Sequence, residues 1–307
     1  MRLSLYLLLV SISLGACLER NIPSAPPSGM VPVFDTELYY KKIGKGTPIV
    51  VLHGGPGLSH DYFLPHLETL GGQYQLIFYD QRYAGKSSLE GDTLGLDMDQ
   101  LVEDLEFLRD QFGLEKMNLM GHSWGGLLAM WYAKKYPEKL NSLIFVNSIA
   151  PNRNYSWLAD SLAEKRFSDH DRQLLSDWYR SDEYRDGDPK AYYYIQRLSY
   201  KSGFYNQRKL DSLRIIVPED FRVRQRRLYP LYRSMGAYDM VVDLKDLEVP
   251  SLFIHGDYDP TPEVALTQLV DVLPNAEMVV LPYCGHFSFI EAPEQFERVI
   301  RQFMRSL

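Results

Sequence analysis

One hexapeptide decides the fold of this chain: Gly121-His122-Ser123-Trp124-Gly125-Gly126. Residues 116–120 before it have the composition of a short buried strand, and residues 127–133 after it have that of a helix of small and apolar residues. A strand, the pattern G-x-S-x-G and a helix are the context that a nucleophile elbow requires. The serine sits on a sharp, strained turn, so the positions two residues to either side must be nearly free of side chain. The hexapeptide therefore predicts that Ser123 stands above a sheet, at the start of a helix whose dipole favours negative charge.

Apolar runs elsewhere in the 307-residue chain predict the remaining elements of an α/β fold. Strand character extends over 37–43, 48–52, 75–79, 142–147, 249–255 and 277–281. Helical spacing or composition covers 96–112, 263–273 and 292–304. Strands that alternate with helices imply a mostly parallel central sheet with helices on both faces.

Between residues 151 and 235 the strand-like runs disappear, and charged and aromatic residues dominate. This texture predicts a helical cap over 151–235, inserted into a core formed by 35–150 and 236–307. A tyrosine-rich cap can line a pocket for a small, partly apolar substrate. We expect its basic run to be a solvated face; the run comprises Arg222, Arg224, Arg226 and Arg227.

Residues 1–17 have the features of an export signal. The apolar run over 3–14 follows Arg2, and it is too short to span a bilayer but suits a signal peptide. The run ends in Leu14-Gly15-Ala16-Cys17, which resembles the lipobox of bacterial lipoproteins, where the cysteine carries the lipid. We therefore expect an exported lipoprotein, anchored through Cys17 to a membrane and facing the periplasm or the cell exterior. The alternative is an ordinary signal peptide with an incidental cysteine. Residues 18–34, rich in proline and serine, are predicted to be a flexible tether.

Charge and cysteine content exclude several other classes of protein. A net charge of −7 argues against a nucleic-acid surface. The chain has two cysteines, and if Cys17 is acylated, Cys284 has no partner for an intrachain disulfide. No His/Cys/Asp cluster has metal-ligand spacing and no nucleotide fingerprint is present, so neither a metal nor a cofactor is predicted.

A glycine-rich loop follows the strand predicted at 48–52: His53-Gly54-Gly55-Pro56-Gly57. Backbone N–H groups in such a loop can bind a developing oxyanion without any side chain. The alternative is a plain tight turn, but the presence of the elbow favours the functional interpretation. We expect His53 to anchor this loop, and Asp80 and Arg82 to hold the next loop by hydrogen bonds.

A serine hydroxyl needs a base within hydrogen-bond reach, and the base needs an orienting carboxylate. The expected chain order is serine, acid, histidine. His286 follows the last strand, whereas His255 precedes both candidate acids and is predicted to be a core residue. Asp257 and Asp259 lie two residues apart, so on an extended loop they would point opposite ways. The spacing G-x-x-D favours Asp259 as the acid, and Asp257 is expected to brace the loop.

Five motifs together resemble the α/β-hydrolase superfamily, and more narrowly its proline iminopeptidase group of serine peptidases. They are the loop 53–57, Asp80-Gln81-Arg82, the hexapeptide 121–126, Gly256-x-x-Asp259 and Gly285-His286. The resemblance implies that Ser123 attacks a carbonyl while His286, oriented by Asp259, takes its proton. It also implies that water cleaves the acyl-enzyme without a cofactor. The oxyanion would be held by backbone N–H groups of Gly54, Gly55 and Trp124.

The chain departs from this family where the substrate amine would bind. A free α-ammonium needs a carboxylate partner. Relatives supply glutamates from the cap, and some supply one just after the triad acid, where this chain has Pro260. The sequence offers four candidates without a motif that selects among them: Glu183, Glu219, Asp220 and Asp239. Tyr83 stands where many relatives have glycine, which predicts a narrower site entrance.

Three functions remain open from the sequence. The first is an exopeptidase that releases N-terminal residues, proline or otherwise, from short peptides. The second is an esterase, lactonase or other small-molecule hydrolase that uses the same triad. The third is a catalytically dead binding protein, against which the complete set of Ser123, Asp259 and His286 argues.

Overall fold

The computed structural model describes residues 26–92 and 95–307. Within them, eight strands form one sheet: β1 Ser28–Val33, β2 Thr36–Ile43, β3 Thr47–Leu52, β4 Tyr74–Tyr79, β5 Met117–His122, β6 Leu140–Val146, β7 Ser251–Gly256 and β8 Ala276–Leu281. The strand order is β1-β2-β4-β3-β5-β6-β7-β8. The six strands β4-β3-β5-β6-β7-β8 are parallel to one another, whereas β2 is antiparallel to both β1 and β4. The predicted mostly parallel sheet is confirmed.

Eleven α-helices lie in the described residues: α1 Met98–Gln111, α2 Trp124–Lys135, α3 Ser156–Lys165, α4 Asp169–Arg180, α5 Asp182–Asp186, α6 Pro189–Lys201, α7 Phe221–Ser234, α8 Met240–Leu244, α9 Glu263–Val270, α10 Ser288–Glu291 and α11 Pro293–Ser306. None of these helices has both the length and the apolar character needed to cross a membrane.

The hydrophobic core is divided by the sheet into two layers. On β3, Val50 and Leu52 face one layer, which α1 and α2 cover. Ile49 and Val51 face the other, which α11 covers. Because successive side chains of a strand point to opposite faces, a strand covered on both sides is continuously apolar. This explains why β3 has no polar alternation.

The N-terminal boundary of the core differs from the prediction. Residues 28–33, expected to be part of a tether, form the edge strand β1 and pair antiparallel with β2. Val33 is fully buried in the layer that α1 covers. Pro32 is tolerated because an edge strand has N–H positions that donate to no neighbour. The predicted signal peptide, Cys17 and the tether as far as residue 25 lie outside the described residues.

Residues 151–235 form the helices α3 to α7 and a 3-10 helix, Gln207–Ser212. We refer to residues 151–235 as the inserted segment. Its two ends meet: Asn152 forms an isolated antiparallel bridge with Asp239, and the Met240 N–H donates to the Pro151 carbonyl over 2.8 Å. The chain therefore leaves the sheet after β6 and returns toward β7 at one place.

The basic run on α7 is solvated in part: Arg222 and Arg226 are exposed, whereas Arg224 and Arg227 are half-buried. Arg222 donates to the carbonyl of Arg185, Arg224 to that of Ser87, and Arg227 to that of Gly91. A guanidinium carries five N–H donors, so one arginine can donate to a backbone carbonyl and still bind other acceptors. The expected solvated face is therefore wrong for Arg224 and Arg227, which fasten α7 to the loop after β4.

Candidate active site

Ser123 lies on the turn between β5 and α2, with φ 55° and ψ −120°, and its side chain is partly exposed. Its N–H donates to the Val146 carbonyl over 3.0 Å. A Cβ at Gly121 would overlap the carbonyl of Gly125, and a Cβ at Gly125 would overlap the carbonyl of Leu52. The backbones approach too closely for any side chain there, which is the steric reason that the sequence indicated.

The predicted base and acid are in direct contact. Asp259 follows β7 and His286 follows β8, and His286 Nδ1 lies 2.9 Å from Asp259 Oδ2. A carboxylate only accepts hydrogen bonds, so Nδ1 carries the proton and the lone pair of a neutral ring is on Nε2. A general base of this type requires that tautomer.

Asp259 is buried and remains ionised. Burial raises the pKa of its carboxyl, but the charges of His286 and His255, with hydrogen bonds from His286 and the Thr261 N–H, hold it at about 2. The Thr261 N–H donates to Oδ1 over 2.8 Å, so both carboxylate oxygens are engaged. A negative charge is therefore fixed beside His286 throughout the neutral range.

The competing candidates have structural roles. Asp257 accepts the Cys284 N–H over 3.1 Å, which confirms that it braces the loop. His255 is buried, and its Nε2 donates to the Thr261 carbonyl over 3.0 Å, although its Nδ1 has no hydrogen-bond partner among the described residues.

The loop after β3 lies against Ser123, but one of its predicted oxyanion donors already has an acceptor. A Cβ at Gly54 would be 3.2 Å from Ser123 Cβ. The Gly54 N–H, however, donates to Tyr62 Oη over 2.7 Å, which removes it from the predicted oxyanion donors. Gly55 and Trp124 remain predicted donors. Trp124 is the first residue of α2, so its N–H has no acceptor within the helix.

Gln81, a member of the Asp80-Gln81-Arg82 motif for which no role was predicted, connects this loop to the elbow. Its side chain accepts from Trp124 Nε1 over 3.0 Å and donates to the His53 carbonyl over 2.8 Å, while its N–H donates to His53 Nε2 over 2.9 Å. His53 therefore anchors the loop, as predicted. Asp80 and Arg82 are also structural: Asp80 accepts from His60 and Lys86, and Arg82 pairs with Asp104.

A second missed residue is Asn147, at the carboxyl end of β6. It is fully buried with φ 44°, and its Nδ2 donates to Asp259 Oδ2 over 2.9 Å and to the Gly285 carbonyl over 3.0 Å. It therefore links the loop of the acid to the loop of the base. The one signal in the sequence is that asparagine tolerates positive φ at the end of a strand.

The inserted segment holds the loop of the base from the other side. The His286 N–H donates to the Gly203 carbonyl over 2.6 Å. Glu291 accepts the N–H groups of Gly285, Tyr205 and Asn206 at 2.7, 3.2 and 2.8 Å. His286 is thus positioned by hydrogen bonds to both the core and the inserted segment.

The four acids predicted to bind a substrate amine are not gathered at this site. Asp220 forms a two-pronged ion pair with Arg224, and Asp239 caps α8 by accepting the Val241 N–H. Glu183 and Glu219 are exposed. Across 26–92 and 95–307, no hydrogen bond or ion pair joins any of the four to the triad residues. Asp220 and Asp239 already have structural partners, and binding of a substrate amine stays a prediction for all four acids.

Tyr83 does not narrow the entrance. It adopts φ 61°, its side chain is fully buried, and its hydroxyl donates to the Asp92 carbonyl over 3.2 Å.

In the part of the chain that the structure describes, no group of three or more His, Cys, Asp or Glu side chains is arranged to hold a metal ion.

Comparison with known proteins places this geometry among hydrolases. A family model described as the α/β hydrolase fold matches residues 47–293. The proline iminopeptidase of Saccharolobus solfataricus is 30% identical over 289 residues, which cover 89% of this chain and 90% of that protein. Among solved structures, the proline iminopeptidase-related protein of Thermus thermophilus is 27% identical with a TM-score of 0.68, covering 91% of this chain and 97% of its own. A thermophilic esterase of Thermogutta terrifontis shares the fold at 22% identity and a TM-score of 0.64, over 91% and 98% of the two chains.

Two substitutions of Asn147 distinguish the role of its side-chain amide from the effect of its positive φ. Asn147→Gly removes the amide and keeps a residue that adopts positive φ freely, whereas Asn147→Ala also adds strain of about 1 kcal/mol. We expect both variants to react about tenfold more slowly with a fluorophosphonate probe at Ser123. Urea unfolding should show Asn147→Ala to be the less stable. Labelling of Asn147→Gly at the wild-type rate would contradict this role.

The low pKa of Asp259 predicts an acid-dependent contribution to stability. Its pKa of about 2 in the folded protein lies below the ordinary 3.8, so the contribution is present above pH 4 and is lost as the pH falls toward 2. We expect the difference in unfolding free energy between wild type and Asp259→Asn to shrink by about 1 kcal/mol from pH 6 to pH 3. Urea titrations at the two pH values measure it, and a constant difference would show that the carboxyl is not stabilised as an anion.

Proposed function

The chain belongs to the α/β-hydrolase family, in its proline iminopeptidase-like group, and from this premise we propose that it is a serine hydrolase with the triad Ser123, Asp259 and His286. The observation that carries the proposal is the 2.9 Å contact between His286 Nδ1 and Asp259 Oδ2. The two residues follow separate parallel strands of the sheet on which the Ser123 turn stands. The carboxyl ends of such strands are where this fold builds its reactive sites.

The proposed reaction proceeds in two steps. Ser123 Oγ attacks the substrate carbonyl as His286 Nε2 takes its proton, and the N–H groups of Gly55 and Trp124 bind the oxyanion. His286 then gives that proton to the leaving amine or alcohol, which departs and leaves an acyl-enzyme. Water, activated by the same nitrogen, attacks the acyl carbon and releases Ser123. Asp259 keeps the imidazole in the required tautomer and stabilises its charged form.

For the substrate, we propose N-terminal residues of short peptides, cleaved in the manner of a proline iminopeptidase. Support comes from the Saccharolobus relative, whose similarity extends over 89% of this chain. Such a substrate carries an α-ammonium, for which a carboxylate is the natural partner. Glu183 and Glu219 are the exposed candidates for this role, whereas Asp220 and Asp239 already bind groups of the protein.

A small-molecule ester or lactone is the second candidate, because one specific observation favours it. Asp220 is paired with Arg224 and Asp239 caps α8, so two of the four predicted amine ligands are already occupied. A neutral ester has no ammonium to neutralise and needs no such ligand.

Turnover of matched substrates tests both candidates. We would compare kcat/KM for proline 2-naphthylamide, alanine 2-naphthylamide and a short-chain p-nitrophenyl ester, using protein that starts at Leu18. We expect the prolyl amide to be preferred. Ester turnover with neither amide cleaved would establish the second candidate instead. Ser123→Ala should lose at least about a thousandfold in rate together with fluorophosphonate labelling. Ser234→Ala, which removes a hydroxyl on α7, is the control, and a labelled Ser123→Ala would refute the proposed nucleophile.

We further propose that the chain is exported and anchored to a membrane by a lipid on Cys17. The sequence Leu14-Gly15-Ala16-Cys17 after a short apolar run supports this. In cells fed labelled palmitate, Cys17→Ala should lose the label and move to the soluble fraction. Cys284→Ala should keep both, because Cys284 is buried and free. Label retained by Cys17→Ala would disprove the anchor.

A further inference from the structure

A buried chain of hydrogen bonds runs beneath the Ser123 turn. It begins at the Gly54 N–H, which donates to Tyr62 Oη over 2.7 Å. Tyr62 Oη lies 2.8 Å from His122 Nδ1, and His122 Nε2 lies 2.8 Å from the His286 carbonyl oxygen. Tyr62 and His122 are each 2% exposed, so bulk water does not compete for these contacts.

The donor and the acceptor of every bond in this hydrogen-bond chain can be assigned from the groups at its two ends. The His286 carbonyl can only accept, so His122 Nε2 carries a proton and donates to it. Burial, with the neighbouring charge of His286, lowers the pKa of His122 to about 3, so the ring is neutral and Nδ1 is an acceptor. The Tyr62 hydroxyl must then donate to Nδ1 while its oxygen accepts the Gly54 N–H. All the polar groups in the chain are satisfied with one arrangement of protons.

The same arrangement fixes the direction of a predicted oxyanion donor. His53 Nδ1 lies 2.8 Å from the Gly54 carbonyl oxygen and donates to it. Gly54 is thus held on both sides, at its N–H by Tyr62 and at its carbonyl by His53. A trans peptide unit is planar, with its N–H opposite to its carbonyl. Holding the Gly54 carbonyl therefore sets the direction of the Gly55 N–H.

We propose that Tyr62 and His122 are positioning residues. They hold the oxyanion loop, residues 53–57, and the loop that carries His286 in fixed positions on either side of Ser123. The proposal rests on the proposed serine hydrolase function. His122 is next to Ser123 in the chain, so the turn that presents the nucleophile also carries the centre of the hydrogen-bond chain. A displacement of either loop has to break a buried hydrogen bond, which leaves an unpaired donor or acceptor away from water.

Tyr62→Phe is the direct test, because it removes one oxygen from a ring packed against Phe63 and His122. The Gly54 N–H then loses its acceptor, so Gly54 is held only at its carbonyl by His53 and the peptide unit that carries the Gly55 N–H is held less firmly. We expect kcat to fall 10- to 100-fold while KM changes less than twofold, because the oxyanion exists only in the transition state. A boronic acid that forms a tetrahedral adduct with Ser123 should bind more weakly by the same factor. Tyr40→Phe, which removes a buried hydroxyl bonded to the Pro26 carbonyl, should change none of these quantities.

A second variant guards against a folding defect. His122→Gln can still donate to the His286 carbonyl but cannot also accept from Tyr62 in the same geometry. We expect it to slow turnover at least tenfold, and the double variant to be less impaired than the product of the two losses. If Tyr62→Phe loses its cooperative unfolding transition, His122→Gln decides the question alone.

The outcomes distinguish this proposal from the proposed function. Wild-type protein that neither turns over substrate nor reacts with a fluorophosphonate at Ser123 would refute the proposed function. If wild type is labelled one-to-one, then folded variants with kcat within twofold of wild type would overturn the positioning role. So would a loss of kcat without any loss of boronic acid affinity.

Discussion

The contact on which this molecule most depends is one between backbones: the first turn of α2 rests against the end of β3 with no side chain between them. Gly125 meets the carbonyl of Leu52, and Gly121 meets that of Gly125. These contacts hold Ser123 at φ 55° and place the loop after β3 beside it. Since β7 and β8 continue the same parallel sheet, their following loops bring Asp259 and His286 to the same edge. The sheet topology thus assembles the site from residues that are far apart in the chain.

The core strands, and the positions of Ser123, Asp259 and His286 after them, could be predicted because their signals are local. A strand covered on both faces is an unbroken apolar run, and each motif directly follows such a strand. Strand β1 has no such signal: its proline and serine content matched a tether, and its order comes from pairing with β2 and from the burial of Val33. Whether a backbone donor is free is equally invisible in the sequence. The acceptor for Gly54 is a side chain eight residues away, across a turn that no pattern specifies.

The roles of charged residues were the hardest to predict. An acid or an arginine looks the same in the sequence whether its side chain is solvated, forms an ion pair or binds a ligand. The pair of Asp220 and Arg224 has the i, i+4 spacing of a helical ion pair, and that spacing was the available clue. On α7, Arg224 and Arg227 donate to backbone carbonyls, whereas Arg222 and Arg226 are exposed. Asn147 was missed for a related reason: its role depends on two loops that meet only in the folded protein.

The bridge between Asn152 and Asp239 has an evolutionary consequence. Because the inserted segment departs and returns at adjacent points, its helices can be lengthened, shortened or exchanged while the sheet keeps its registration. Residues of the inserted segment can therefore change without altering the turn that carries Ser123. This tolerance to change has one limit. Any altered segment must still place a backbone carbonyl where that of Gly203 accepts the His286 N–H. Divergence in this lineage is thus expected to spare residues 202–206 and to accumulate in the remainder of the segment.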